Sequence, residues 1–328
     1  MLTLSAQRVD DAPTSYAVTL PLGPYGTPAA RHLGGVPAQV GPYRVLELLA
    51  RGGMGGVYLG EHSTTGTRVA LKLLDPRWSA RANIVERMLG EREVTRKVHH
   101  TGLVRILGGA RTTGGVAYLA MELLDGEDLG ALTERGRIEL GAAAAIGAQI
   151  ADAVAAMHEA QIVHCDLKPQ NVLVEYRHGL AGWTRIKVLD FGVARIGGRS
   201  SEPEVAGTPC YMAPEQWRGY AEPRSDVYGL GCLLFELLTG EVPFDGTLSQ
   251  VMTAHCEDAP PSISARQWVP EGLEQLVMHM LAKRAAARPR MVDVARQLTE
   301  IAFQHPPGAR TGPIRTLRTE PYVTGSTD

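Results

Sequence analysis

The sequence predicts an α+β chain in two lobes, a small β-rich N-lobe and a larger, mostly helical C-lobe. Three observations predict it. Short β-type runs crowd residues 43–122, among them "YRVLELL", "GGVYLGEH" and "TRVALKLL". From about residue 139 onward, apolar residues recur at helical spacing. The two textures follow one another in the chain, which implies a cleft between the lobes, a common place for a ligand.

Residues 1–41 precede the first of these runs. Pro13, Pro21, Pro24, Pro28 and Pro37 recur there among Gly, Ala and Thr, so a disordered extension is expected. The N-lobe, about 42–122, adds "VRILGGA" and "VAYLAMEL" to the runs above; one helix-compatible stretch, "RANIVERMLGEREVTRKV", interrupts them. The C-lobe, about 123–303, contains "ELGAAAAIGAQIADAVAAMHEAQ", where Ile146, Ile150, Val154 and Met157 share a helical face. "NVLVEY" and "TRIKVLDF" are two short strands after it. "EGLEQLVMHMLAK" repeats the helical spacing at Leu273, Leu276, Val277, Met280 and Leu281. Residues 304–328, ending "HPPGARTGPIRTLRTEPYVTGSTD", share the character of the first extension and are expected to be disordered too.

Bulk composition narrows the classes. The 328 residues suit one large domain with tails, and 44% apolar residues are ample for a core. A formal charge of −2, with both signs interspersed, gives no reason to expect nucleic acid or an anionic membrane as partner. Cys165, Cys210, Cys232 and Cys256 are widely spaced, with no CxxC pair or zinc-type cluster, which fits a reducing compartment. The start "MLTLSAQRVDD" lacks a secretory pattern. The longest apolar stretch, "DVYGLGCLLFELLTG", is too short and too acid-flanked to span a bilayer. A cytoplasmic protein is expected.

Four pieces carry chemistry. In "ARGGMGGVYLG", Gly52, Gly53, Gly55 and Gly56 free the backbone to lie close over phosphates, and Val57 can pack on a flat base. In "VALK", Lys72 sits in an apolar strand, where its amine needs an anionic partner; Glu91 and Glu93 on the following helix are both candidates. In "HCDLKPQN", Asp166 can accept a hydroxyl proton, and Asn171 offers an oxygen to a cation. In "VLDFG", Asp190 offers another, a donor type suited to Mg²⁺. Each piece alone has an ordinary reading as a hairpin, an edge lysine, a surface glutamate or a turn.

In their joint order they do not. With "GTPCYMAPEQ" following, the segment from Tyr43 to Phe303 resembles a eukaryotic-type (Hanks-type) Ser/Thr protein kinase of the bacterial kind. The resemblance implies a bilobal protein-kinase fold, ATP and Mg²⁺ as cofactors, and transfer of the γ-phosphoryl group to protein Ser/Thr hydroxyls in signalling, with autophosphorylation. It implies that Gly52, Gly53 and Gly55 belong to the phosphate loop, with Ala50 where its first glycine is usual. It implies that Val57 and Ala70 sandwich adenine, that Met121 is the gatekeeper, and that the backbone of Glu122 and Leu124 meets the adenine edge. Lys72 would bind the α/β-phosphates and pair with Glu91. Asp166 would be the catalytic base and Lys168 would steady the γ-phosphate, while Asn171 and Asp190 hold the metal. Gly207 and Thr208 would shape the substrate-hydroxyl site, Glu215 would pair with Arg288, and Asp226 would tie the catalytic loop to a buried helix. Lys168 after Asp-Leu is the Ser/Thr rather than the Tyr pattern. One departure stands out: Cys165 precedes Asp166, where relatives usually carry Arg.

Two other readings use the same fold. A pseudokinase-type scaffold would lack at least one of Lys72, Asp166, Asn171 or Asp190, and all four are present. A small-molecule phosphotransferase would share that core but lack the GTP–APE segment, which this chain has.

Overall fold

The computed structural model describes residues 36–176, 184–191, 194–196, 207–306 and 316–317. The β-type runs of the N-lobe become β1 (Gln39–Val40), β2 (Tyr43–Gly52), β3 (Gly55–His62), β4 (Arg68–Leu74), β5 (Ile106–Arg111) and β6 (Ala117–Glu122). They form one sheet in the order β1-β2-β3-β4-β6-β5. Every pairing in it is antiparallel. Between β4 and β5 the chain makes a single turn, α1 (Pro76–Ser79), and a longer helix, α2 (Ala82–Lys97). Val85, Met88, Glu91 and Val94 of α2 are buried, and their spacing of three is one helical face.

The first strand corrects the expected limit of the N-terminal extension. Val40 is fully buried and pairs with Tyr43. Gly41 makes this turn at φ +54°, and a Cβ there would meet the Tyr118 hydroxyl at 2.0 Å, so glycine alone fits.

The C-lobe runs through β7 (Gly126–Asp128), α3 (Leu129–Thr133), β8 (Arg137–Ile138) and α4 (Leu140–Glu159). There follow β9 (Ile162–Val163), β10 (Val172–Tyr176), β11 (Thr184–Val188) and β12 (Arg195–Ile196). The last helices are α5 (Pro223–Thr239), α6 (Leu248–Glu257), α7 (Glu271–Met280) and α8 (Met291–Gln304), before β13 (Thr316–Leu317). α4 is long and apolar enough to cross a membrane by length and composition, but 67% of its most apolar 18-residue stretch is buried inside the fold. Ile146, Ile150, Val154 and Met157 have no exposed surface, as their spacing predicts. The apolar stretch of α5 is buried almost throughout, beginning at Ser225 and Asp226. Thr316 and Leu317, in the expected C-terminal tail, pair with Ile138 and Arg137 of β8. The rest of that tail beyond Pro306 lies outside the described residues, as do residues 1–35.

β10 pairs on one side with β7 and on the other with β11. This small sheet carries the loop 164–171 at one end and Asp190 just beyond the other strand, so it brings the two ends of the chemistry together.

Candidate active site

Strand alternation builds one wall. Val69, Leu71 and Leu73 of β4 pack in a cluster with Tyr43, Tyr58 and Tyr118, which turns Ala70 and Lys72 to the opposite face. Register places Val57 opposite Lys72, Met121 opposite Ala70, and Ala50 opposite Val57. Directly opposed residues share a face. Ala50, Val57, Ala70, Lys72 and Met121 therefore line one side of the sheet. Leu124 and Leu173 are buried in the same cluster as Val57 and Ala70. Leu173 carries no signal of its own in the sequence, because "NVLV" shows a strand without showing what it faces.

Gly52 and Gly55 close the hairpin that begins this wall. A Cβ on Gly55 would meet the Leu73 carbonyl oxygen at 1.9 Å, which explains glycine there.

Lys72 is 6% exposed and has the anions it requires. Its Nζ lies 2.8 Å from Glu91 Oε1 and 3.1 Å from Asp190 Oδ1. Of the two candidate glutamates, the structure brings Glu91 to Lys72; Glu93 faces outward and pairs with Arg96 at 3.3 Å. Burial pushes the Glu91 carboxyl up to about 7; nearby Lys72 pulls it down and Asp190 raises it. Asp190 has φ +54° and Cys165 φ +70°, a left-handed backbone that non-glycine residues adopt at a cost. Both strained residues border the site.

The loop 164–171 is held from below by Asp226, 1% exposed at the start of α5. Asp226 Oδ2 accepts the His164 N–H and Oδ1 accepts the Cys165 N–H, both at 2.8 Å. His158 Nε2 lies 2.8 Å from the same Oδ2. Above this support, Asp166 Oδ1 accepts the Thr208 hydroxyl at 2.7 Å, and Lys168 Nζ lies 2.9 Å from Asp166 Oδ2. Asn171 Nδ2 donates to the Asp166 carbonyl at 2.8 Å and to Oδ2 at 3.1 Å. Its Oδ1 is thereby the atom left for a cation. The Leu189 N–H donates to the Asn171 carbonyl at 2.8 Å, which sets Asn171 beside Asp190.

The donor set fits Mg²⁺. Among the described residues no group of three or more His, Cys, Asp or Glu gathers to enclose a metal. Two oxygen-bearing side chains, with the remaining positions left to phosphate and water, is how this cation is usually bound.

Two further features frame the site. Glu215 and Arg288 meet in a two-pronged pair at 2.6 and 3.0 Å, as expected. Arg288 also donates to the carbonyls of Ala282, Lys283 and Arg224, so its buried guanidinium is fully used. The other feature is new. Lys187 of β11 is 7% exposed, and its Nζ lies 2.5 Å from Glu122 Oε1 and 3.2 Å from the Leu103 carbonyl oxygen. Glu122 Oε1 also accepts the Arg105 N–H at 2.9 Å. The side chain of Glu122 thus ties the link between the lobes to the strand leading to Asp190. A lysine inside "TRIKV" was the available signal, of the same kind as the lysine in "VALK".

Comparison with known proteins follows the same line. Residues 43–301 match the model of the protein kinase domain family. The chain is 35% identical over 275 residues to the serine/threonine-protein kinase Pkn1 of Myxococcus xanthus, covering 82% of this chain and 39% of that protein. It is 36% identical to PkaA of Streptomyces coelicolor, covering 79% and 50%, and 34% identical to PknA of Mycobacterium tuberculosis, covering 76% and 58%. The chain thus spans between about two-fifths and three-fifths of the length of these relatives. Among solved structures, it resembles two double-mutant forms of the PknI kinase domain of Mycobacterium tuberculosis at 26% identity. Their TM-scores are 0.62 and 0.64, covering 80% and 82% of this chain and 96% and 100% of theirs.

Proposed function

The chain belongs to the protein kinase family, and from that premise we propose that it transfers the γ-phosphoryl group of ATP to Ser/Thr hydroxyls of proteins. The observation that carries the reading is Lys72, which bridges Glu91 and Asp190 at 2.8 and 3.1 Å. That bridge joins the wall of the N-lobe to the segment that would hold a metal.

Phosphoryl transfer asks for in-line positioning and cover for negative charge more than for covalent chemistry. Ala50, Val57, Ala70 and Met121 give an apolar face for adenine, with the backbone of Glu122 and Leu124 at its edge. Lys72, held straight by Glu91, meets the α/β-phosphates. Mg²⁺, held by Asn171 and Asp190, would offset phosphate charge when bound. Asp166 orients the incoming hydroxyl and accepts its proton late, while Lys168 steadies the γ-phosphate. The Thr208 hydroxyl on Asp166 Oδ1 supports this, since a hydroxyl already sits 2.7 Å from the proposed base.

The protein itself is a proposed substrate. Thr311, Thr319, Thr324 and Ser326 lie among Arg310, Arg315 and Arg318 in the tail, outside the described residues, and Thr316 lies in β13. A cytoplasmic setting suits four cysteines, none in a disulfide.

The test is purified protein with Mg²⁺ and labelled ATP, beside Asp190→Ala, followed by mapping of the labelled residues. Wild type is expected to label Ser/Thr, and the variant to lose about a hundredfold or more, because Asp190 would hold the cation that offsets phosphate charge. Equal labelling of the two would sink the reading and favour an ATP-binding scaffold; label on a small molecule alone would favour a small-molecule phosphotransferase.

A further inference from the structure

The tip of the glycine hairpin is tied down by a side chain that the function above does not use. Gly53 and Met54 form the turn between β2 and β3. The Gly53 carbonyl accepts the Trp78 indole N–H at 3.0 Å. The Met54 carbonyl accepts the Asp75 N–H at 2.9 Å. Trp78 lies on α1, immediately after the strand that carries Lys72.

α1 is itself braced. The Asp75 carboxylate accepts the Arg77 N–H at 3.1 Å, and the Ser79 hydroxyl donates to the Leu74 carbonyl at 3.4 Å. Arg111 donates to the Ser79 carbonyl at 3.0 Å, joining the turn to β5. The guanidinium of Arg81 stands 4.7 Å from the centroid of the Trp78 ring. Met54 and Trp78 both pack against the cluster of Leu74, Val85 and Met88. The indole therefore donates from a fixed platform.

Peptide planarity turns this into a statement about amides. In a trans peptide the C=O of one residue and the N–H of the next point in opposite directions. Holding the Gly53 oxygen on Trp78 turns the Met54 N–H away from α1. Among the described residues, neither the Gly53 nor the Met54 N–H has an acceptor within the chain. Unused amides on a tight turn make a concavity for anions.

We propose that Trp78 is a positioning residue for the phosphates of ATP, holding the turn so that the Met54 amide faces them. The inference rests on the ATP reading above. The adenosine part of the ligand lies on the wall formed by Val57 and Ala70, so Trp78 acts on the phosphate chain alone.

The experiment measures dissociation constants of wild type and Trp78→Phe for the Mg²⁺ complex of a non-hydrolysable ATP analogue and for adenosine. Phe keeps ring packing and removes the N–H. Loss of one neutral hydrogen bond predicts about two- to tenfold weaker binding of the analogue, with adenosine affinity unchanged. Equal weakening of both ligands, or no change in either, overturns the inference. A second measurement needs no stable variant: in wild type, the Trp78 indole ¹⁵N–¹H resonance is expected to shift with the analogue and not with adenosine. The same response to both ligands, or to neither, also overturns it. Wild type that binds neither ligand would overturn the ATP reading itself, and the role of Trp78 with it.

Discussion

Asp226 holds Cys165 by the backbone: Oδ1 accepts the Cys165 N–H at 2.8 Å. The side chain at this position is free to vary without loss of that contact. The Cys165 thiol is buried against Val163 and Ala221, and the backbone carbonyl accepts Gln216 Nε2 at 2.8 Å. The left-handed turn at Cys165 is thus fixed by its neighbours, and Asp166 keeps its place without an arginine beside it.

In most kinases an Arg at this position gathers a phosphate on the activation segment, here residues 195–208, so Cys165 is expected to leave that pocket one cation short. A charged hydrogen bond contributes roughly 1.5–3 kcal/mol. Phosphorylation is therefore expected to shift the active population by about one to two orders of magnitude less than in an Arg-bearing relative. Of the hydroxyls offered for the phosphate, Ser200 and Ser201 lie outside the described residues, and Thr208 is engaged with Asp166 and Lys168. Arg87, on the exposed side of α2, and Arg195, whose side chain lies outside the described residues, fall where kinases often supply the other basic groups of that pocket. Phosphatase-treated and autophosphorylated protein, with Ser200→Ala/Ser201→Ala alongside, are compared on an external substrate. A difference of a hundredfold or more would show that Cys165 does not weaken the switch.

Glu91 makes stability and activity respond to pH in opposite senses. Its carboxyl stands at about 7 in the folded protein, raised by burial from an ordinary 4.5. The folded state binds this proton more tightly than the unfolded state, so its contribution is full below about 4.5 and is lost as pH rises to 7. The ionised form, which pairs with Lys72, is the less stable one. Glu91→Gln is expected to flatten the pH dependence of the melting temperature between 4.5 and 7. Turnover of the wild type is expected to fall as pH drops below 7, and that of Glu91→Gln to be low throughout. A wild-type rate independent of pH between 5.5 and 8 counts against the pairing as a requirement.

Lys187→Met leaves the Glu122 carboxylate without its cation in a largely buried place. Breaking one side of such a pair costs about 3–5 kcal/mol. The double variant Lys187→Met/Glu122→Leu removes both charges and is expected to recover most of that loss. Chemical denaturation of the two single variants and the double variant checks this as a cycle. Because Glu122 lies at the link between the lobes, the single Lys187→Met variant is also expected to raise the KM for ATP more than it lowers kcat. Strictly additive stabilities would show that the two side chains do not act on each other.

Whatever depends on neighbours in the chain is legible along the chain. Alternation in β4 puts Ala70 and Lys72 on one face, and helical spacing buries Ile146, Ile150, Val154 and Met157. The five-residue step from Asp166 to Asn171 fits within one loop and one short turn, so both could be read together. Partners far apart in the chain are set by how the elements pack. Glu91 and Glu93 look alike in sequence, but two helical steps turn them apart by ~200°, and only packing of α2 on the sheet says which one meets Lys72. The Pro and Gly around Val40 suggest an extension, yet the turn at Gly41 folds it against β2. Lys187 and Glu122, 65 residues apart, and Trp78 and Gly53, 25 apart, carry no mutual signal along the chain. Periodicity records which side a residue faces; the identity of what it meets there is fixed by how the strands and helices close on one another.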